Sequence, residues 1–148
     1  MHACVDTVEY LPATHAVQLV PPFRASESVT EPAAQLVART LETYAGSDLR
    51  DAVEGGFFRY STMRDFSEPH YERMLYDNAG LLSLYSRQGD LDTAAGIVSF
   101  LRSTLLVEGG FGSAQDSESI IEGLPSEGGY YLLDAVGREG LTPPKVDD

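Results

Sequence analysis

The sequence predicts a mainly α-helical fold in which helical hairpins repeat as an α/α array or toroid, with short extended pieces at both ends. Three observations predict it. Apolar residues recur at helical spacing in three capped segments, two of these segments are joined by a very short link, and a Glu-Gly-Gly-aromatic tetrapeptide recurs. The chain has 148 residues, which fits one ordinary domain.

The first clear helix is predicted from Glu31 to Ala45. Thr30 is a natural N-cap, and Pro32 lies in the first turn, where its missing N–H is not needed. Gly46 provides the stop. Apolar residues line one face of this segment: Ala33, Leu36, Val37, Leu41 and Tyr44.

Two further helices are predicted, from about Glu68 to Arg87 and from about Leu91 to Leu106. Ser67 and Asp90 are the candidate N-caps, and Gly89 ends the earlier helix. Because only one to three residues join them, these two helices are expected to form an antiparallel hairpin.

Three regions are expected along the chain. Residues 1–30 show no periodic pattern and form an irregular N-terminal segment, residues 31–134 form the α/α-hairpin domain, and residues 135–148 form an acidic, flexible tail. The helical period disappears after Gly110, so residues 115–127 are interpreted as an acidic loop.

The recurring tetrapeptide occupies residues 54–57, 108–111 and 127–130. The first two copies are 54 residues apart and enclose two helices, which corresponds to one helical hairpin per repeat. Paired glycines allow a sharp turn with positive φ, after which the aromatic residue would plug the ring of helices. Three unrelated glycine-rich turns are the alternative, and the third copy breaks the period.

The formal net charge of −13 excludes several classes of function. Nucleic-acid binding and polybasic membrane anchoring both need a basic surface, and no apolar run approaches a membrane span. The beginning of the chain has no signal-peptide pattern, so a cytoplasmic location is expected. Lys145 is the only lysine, which favours a halophilic, salt-adapted protein over an ordinary acidic surface. Cys4 is the only cysteine, so no internal disulfide or redox pair can form.

The richest segment for chemistry runs from Asp51 to Asn78. On the predicted helix, His70 and Asp77 lie about 20° apart, two turns along, on a face that is otherwise apolar. An ionisable pair in such an arc is unusual, so His70 could act as general acid or base while Asp77 orients a hydroxyl. The alternative is structural, with His70 bonding at the helix start and Asp77 pairing with an arginine.

Other polar groups lie near this pair in the sequence or form an acidic stretch further along the chain. Arg59 and Tyr60, delivered by the glycine loop, could line the same cavity, and Glu72 lies on another side of the predicted helix. The acidic residues 116–127 fail the EF-hand pattern, so a solvated loop is favoured over a metal site. No metal and no cofactor are expected.

Residues 55–78, GGFFRYSTMRDFSEPHYERMLYDN, resemble the signature of the YyaL / spermatogenesis-associated protein 20 family. That signature runs Gly-Gly-Phe-x-Arg-Tyr-Ser and then Trp-x-x-Pro-His-Phe-Glu-Lys-Met-Leu-Tyr-Asp-Asn. Residues 109–119, GGFGSAQDSES, are similar to the family's Gly-Gly-Phe-x-Ser-Ala-Gln-Asp-Ala-Asp-Ser, and residues 127–131 are similar to its Glu-Gly-x-Phe-Tyr.

The resemblance implies a thioredoxin-like domain followed by an α/α toroid of the six-hairpin glycosidase or sugar-epimerase type. This chain would hold an incomplete toroid without the thioredoxin-like half, because two hairpins cannot close such a ring. Phe66, Tyr71 and Arg73 stand where the family has Trp, Phe and Lys. Carried over by position, the signature polar residues are Arg59, Tyr60, His70, Glu72, Asp77, Asn78, Gln115 and Asp116.

Two functions of different class follow from the resemblance and the residues. In the first, His70, Asp77 and Glu72 are catalytic and move a proton on a sugar-like ligand, as in an isomerase or epimerase. The residues expected to bind that ligand are Arg59, Tyr60, Asn78, Gln115 and Asp116. In the second, the chain is a non-catalytic interaction module or truncated fragment. Its partner would then be a thioredoxin-like chain or one that completes the toroid.

Overall fold

Three helices of ten residues or more form the helical part of the fold within residues 31–147. A computed structural model describes these residues of the chain. The helices are α1 Glu31–Ala45, α2 Leu75–Gln88 and α3 Leu91–Phe100, and α3 continues into a π-helical turn, Leu101–Leu105. The first helix has the predicted bounds, so that prediction is confirmed. The segment predicted over residues 1–30 lies outside the described residues.

The turn between α2 and α3 forms as predicted. Gly89 ends α2 with a left-handed φ of 86°, and its N–H donates to the carbonyls of Tyr85 and Ser86. Asp90 begins α3, accepting a hydrogen bond from the Thr93 N–H at 3.0 Å. That hydrogen bond holds the pKa of the Asp90 carboxyl below its usual range. The two helices pack together as the expected hairpin.

Short strands make up the rest of the described chain. They are β1 Tyr60–Ser61, β2 Pro69–His70, β3 Arg73–Met74, β4 Leu106–Val107, β5 Gly110–Phe111, β6 Ala114–Gln115, β7 Glu118–Ile121, β8 Leu124–Glu127 and β9 Val146–Asp147. A fourth short helix, α4, spans Ala135–Arg138.

These strands form four small antiparallel sheets. Three are two-stranded, β1–β2, β4–β5 and β7–β8, and the fourth has the order β3–β6–β9. The prediction of a mainly α, incomplete α/α toroid is therefore wrong, because the described chain is mixed α/β. No helix within residues 31–147 is long and apolar enough to cross a membrane.

Two segments explain the error. Residues 115–127, interpreted as a loop, contain the β7–β8 hairpin, whose two-residue turn places Glu122 at φ 52° and Gly123 at φ 82°. Such turns favour Asn-Gly or Asp-Gly, so Glu-Gly is a weak sequence signal. The predicted start of α2 at Glu68 is also wrong. Backbone pairing of Tyr60 with His70 draws that stretch into strand β2.

The main core lies among the helices. It contains Val37, Leu41, Tyr44, Leu49, Phe57, Leu81, Leu84, Tyr85, Ala94, Ile97, Phe100, Leu101 and Leu105. A second, aromatic cluster of Phe58, Tyr130 and Tyr131 lies beside the sheets, with Tyr71 packed against it. The Tyr71 and Tyr131 rings stack at 5.7 Å between centroids, so this cluster has a defined geometry.

The three copies of the tetrapeptide are not structurally equivalent. A Cβ on Gly55 (φ 75°) would lie 2.4 Å from the Gly96 carbonyl oxygen of α3, so the first copy needs glycine to approach the helix. Gly109 (φ 94°) lies in the open β4–β5 turn with nothing within 4 Å. In the third copy, Gly128 packs against the Tyr71 ring. The first two copies enclose the α2–α3 hairpin, but the three copies occupy different structural settings and so do not mark a repeated unit.

The division of the chain into domains stays a prediction. Within the expected flexible tail, residues 135–138 form α4, and β9 pairs with β6 through Ala114↔Asp147 and Gln115↔Val146.

We expect Gly55→Ala to destabilise the chain far more than Gly109→Ala. Both substitutions place Cβ at positive φ, which costs about 1 kcal/mol. At Gly55 the new Cβ also overlaps the α3 backbone, which adds about 1–3 kcal/mol. Urea unfolding of both variants measures the difference. Equal losses of unfolding free energy would contradict the inequivalence of the two copies.

Candidate functional site

Arg73 lies at the centre of a buried polar network. Its side chain is fully buried, and its guanidinium donates to the Asp51 carboxylate at 2.9 Å and to the Gly55 carbonyl at 3.0 Å. It also donates to the Glu54 carboxylate, and its Nε donates to Gln115 Oε1 at 3.0 Å. One side chain in β3 thus joins the 51–55 loop to strand β6.

Arg138 of α4 completes this Arg73 network, which comprises Asp51, Glu54, Arg73, Gln115 and Arg138. Its guanidinium donates bidentate hydrogen bonds to the Asp51 carboxylate, at 2.8 Å to Oδ2 and 3.1 Å to Oδ1. It also donates to the Tyr131 carbonyl at 2.8 Å. Two arginines face two carboxylates, so the charges balance inside the protein.

Aromatic rings enclose the network. The Arg73 guanidinium carbon lies 4.3 Å from the Phe100 ring centroid and 5.0 Å from that of Tyr131, within cation–π distance. The Tyr130 hydroxyl donates to Glu54 at 2.6 Å. Burial, followed by this bond to a carboxylate, raises the pKa of Tyr130 to about 12. The network is therefore largely buried and its groups are hydrogen-bonded to one another, which is the character of a structural element rather than of a ligand site.

A second polar group lies at the surface and contains four of the predicted site residues. We call it the His70 cluster: Arg59, Tyr60, His70, Glu72 and Glu127. Strand pairing places His70 directly opposite Tyr60, and their rings stack at 4.9 Å between centroids with planes 14° apart. The Arg59 N–H donates to the Glu72 carbonyl at 2.9 Å, which extends the β1–β2 hairpin by one more rung.

Carboxylates flank both nitrogens of the His70 ring. Glu72 Oε2 lies 3.6 Å from Nδ1, and Glu127 Oε1 at the end of β8 lies 4.0 Å from Nε2. Nδ1 is buried and makes no hydrogen bond within the described chain. The His70 side chain is 28 % exposed, so the ring is open to solvent on one side.

Arg59 fixes Glu72 from the other direction. Its guanidinium donates to Glu72 Oε2 at 3.0 Å, and this hydrogen bond raises the pKa of Arg59. The same carboxylate oxygen therefore faces both a guanidinium and the imidazole. Both side chains of this ion pair are about one third exposed, so its contribution to stability is modest.

His70 and Asp77 do not share a helical face. His70 lies in β2, whereas Asp77 lies in the first turn of α2 and is fully buried. The prediction that they form one pair on a helix is wrong, because the helix begins only at Leu75. The role assigned to Asp77 stays a prediction.

Asn78, Gln115 and Asp116 make their hydrogen bonds to residues outside the His70 cluster. Asn78 accepts from the Phe57 N–H at 2.7 Å and donates back to its carbonyl at 3.0 Å, which fastens the glycine loop to α2. Gln115 belongs to the Arg73 network. Asp116 accepts from the Glu118 N–H at the start of β7. Their assignment as ligand-binding residues stays a prediction.

Sequence reasoning missed Asp51, Glu54, Arg138 and Glu127 as members of these groups. Two of them belong to the recurring tetrapeptide, Glu54 in the first copy and Glu127 in the third, so the motif itself was the available signal. Asp51 and Arg138 are 87 residues apart and carry no local pattern. Within residues 31–147, no three histidine, cysteine or acidic side chains are placed to hold a metal ion.

Comparison with known proteins gives several similar sequences, although no family model matches the chain. Human spermatogenesis-associated protein 20 is 40% identical over 124 residues, which cover 77% of this chain and 16% of that protein. The mouse protein of the same name gives the same identity and coverage. An uncharacterised Caenorhabditis elegans protein is 32% identical over 110 residues, 66% of this chain and 15% of that protein. The chain therefore spans about a sixth of the length of the curated relatives it matches.

Replacing Arg73 with methionine should cost about 3–5 kcal/mol of unfolding free energy, because Asp51 and Glu54 lose one of their two arginine partners and a buried negative charge is left unbalanced. The matched change Arg59→Met removes a partly exposed pair and should cost about 1 kcal/mol or less. Chemical unfolding followed by far-UV circular dichroism measures both losses. Similar values for the two variants would contradict a structural role for the Arg73 network.

Proposed function

The chain belongs to the spermatogenesis-associated protein 20 family, and we propose that it forms an acid–base site for a polyhydroxylated, sugar-like ligand at the His70 cluster. The observation that carries the proposal is the half-buried His70 ring, stacked on Tyr60 and flanked by a carboxylate at each nitrogen. The proposal concerns this segment, which is about a sixth of its relatives' length.

The residue types support recognition of a polyol. An aromatic ring offers a flat apolar face to the C–H side of a sugar, and charged groups beside it exchange paired hydrogen bonds with neighbouring hydroxyls. The cluster supplies both, because Tyr60 and His70 provide the rings while Arg59 and Glu72 provide a donor and an acceptor.

The carboxylates also support proton transfer. In the proposed site, Glu72 keeps a proton on Nδ1 of His70, which leaves Nε2 as the nitrogen that takes or returns a proton. The 3.6 Å separation from Glu72 is longer than a hydrogen bond, but such contacts tighten when a ligand closes the site. Glu127 faces Nε2 and would accept a hydrogen bond from a ligand hydroxyl beside the reacting position. This chemistry fits the isomerase or epimerase class.

A second candidate is a non-catalytic interaction module. Its support is the exposure of large apolar side chains on the helices, with Leu91 of α3 68% exposed and Leu36 of α1 59% exposed. Exposed apolar surface marks protein–protein contacts when it forms a continuous patch. In this candidate, a partner chain would cover these helix faces, and the His70 cluster would be a surface feature only.

The experiment that tests the first candidate is an NMR titration of the full chain with monosaccharides and short oligosaccharides. A ligand should shift the ring resonances of His70 and Tyr60 and leave those of buried Tyr44 in place. His70→Gln should abolish binding and lower any isomerisation by about 100-fold or more. It should lower the unfolding free energy by no more than about 1.5 kcal/mol, since the change removes a partly buried ring and its stacking on Tyr60.

Glu42→Gln on the exposed surface of α1 is the matched control, and it should bind as the parent does. Unaltered saccharide binding by His70→Gln would count against the proposal. Loss of folding in that variant would show that His70 is structural. Association with another protein chain that needs no saccharide and is lost in Leu91→Ser would favour the interaction module.

A further inference from the structure

A surface groove with a volume of about 670 Å³ lies between the β7–β8 hairpin and residues 140–145. None of the five side chains of the His70 cluster lines it, so it is a separate feature of the described chain. Its size falls in the range of protein grooves that bind small molecules or short peptide segments.

Apolar groups form much of its lining. Ile120 of β7 is 60% exposed, and Leu141, Pro143 and Pro144 line the opposite wall. Proline has no backbone N–H, so an occupant cannot pair fully with this wall as an added strand. Contact with the wall must therefore come mainly from apolar packing of side chains.

Internal hydrogen bonds hold both walls in place. The Gln115 side chain donates to the Pro144 carbonyl at 3.2 Å, and the Asp116 N–H donates to the Lys145 carbonyl at 2.9 Å. On the hairpin side, the Ser119 hydroxyl donates to the Ser126 carbonyl at 3.2 Å. The groove is therefore formed before any ligand arrives, which lowers the conformational entropy lost on binding.

Acidic side chains share this lining with the apolar ones. Asp116, Glu118 and Glu122 belong to the lining residues, whereas Lys145 is the only basic residue among them, all within residues 31–147. The Lys145 ammonium pairs with Asp147 at 2.9 Å, which offsets its charge. The groove therefore combines apolar and acidic lining residues in a chain whose formal net charge is −13.

We propose that this groove docks a short, extended segment of a partner protein that carries arginine or lysine beside apolar side chains. Charge complementarity selects the basic segment, because like-charged segments are repelled by the acidic lining residues. One wall runs along strand β7, which matches an extended rather than a helical occupant. Apolar side chains between the basic ones would contact Ile120 and Pro143.

Fluorescence anisotropy with labelled ten-residue peptides and the full chain tests this inference. The probe peptide alternates arginine and leucine, one control has glutamate for every arginine, and another has serine for every leucine. The probe should bind at least about 10-fold more tightly than either control. Its affinity should fall as sodium chloride is raised, because salt screens exposed charges.

Two variants and one matched control locate the binding. The double change Glu118→Gln with Glu122→Gln should weaken the probe about 5-fold or more, and Ile120→Ser about 3-fold. Glu108→Gln removes a charge from the exposed β4–β5 turn outside the groove and should leave the affinity unchanged.

Three results would overturn the inference. Equal weakening by Glu108→Gln would mean that the peptide responds to net charge alone. An unchanged affinity in Ile120→Ser, together with equal binding of the serine peptide and the probe, would show that apolar packing does not contribute to binding. Sedimentation showing a parent dimer that Ile120→Ser dissociates would mean that a second copy of this chain covers the groove.

Discussion

The buried guanidinium of Arg73 is the constraint on which the rest of the structure depends. It lies in a two-residue strand, yet it reaches the 51–55 loop through Asp51 and the three-stranded sheet through Gln115. The Phe100 ring, at the end of α3, packs over it. The helical core and the aromatic cluster beside the sheets therefore meet at one side chain. Methionine at this position would leave Arg138 as the one remaining arginine facing the two carboxylates of Asp51 and Glu54, so a buried negative charge would be left unbalanced.

This constraint also positions the surface chemistry. Pro69 and Arg73 are buried, whereas His70, Tyr71 and Glu72 between them are partly exposed. Burial at both ends of this stretch limits the directions in which His70 can face. Tyr130, which donates to Glu54 of the network, follows Glu127 by three residues and ties the third tetrapeptide to the first. The glycines of the first and third motifs allow close approach of the backbone to different neighbours, Gly96 and Tyr71, whereas Gly109 of the second lies in an open turn.

Local patterns in the sequence were sufficient for α1, for the link between α2 and α3 and for part of the site. The cap and the apolar stripe defined α1, and the Gly89-Asp90 link defined the α2–α3 hairpin. Arg59, Tyr60, His70 and Glu72 were all named as site residues, and the structure brings them together. Seven of the nine strands in the described chain were missed because two-residue strands have no periodicity to detect, and the four-residue β7 and β8 were missed because their Glu-Gly turn is a weak signal. The ion pairs of Asp51 and Glu54 with Arg138 were missed because they join distant segments, and only tertiary packing makes such contacts.

The central claim is that Arg73 makes the helices and the β3–β6–β9 sheet one cooperative unit. Native-state hydrogen exchange of the parent and of Arg73→Lys tests it most directly, since lysine keeps the charge but loses the planar fork of donors. In the parent, the sheet amides of Ser113 and Asp116 should exchange with the same opening free energy as the slowest α2 amides. In the variant, the sheet amides should exchange with an opening free energy below that of global unfolding. The slowest α2 amides should still exchange with the free energy of global unfolding. Separate opening of the sheet in the parent, or equal protection of both regions in the variant, would contradict the claim.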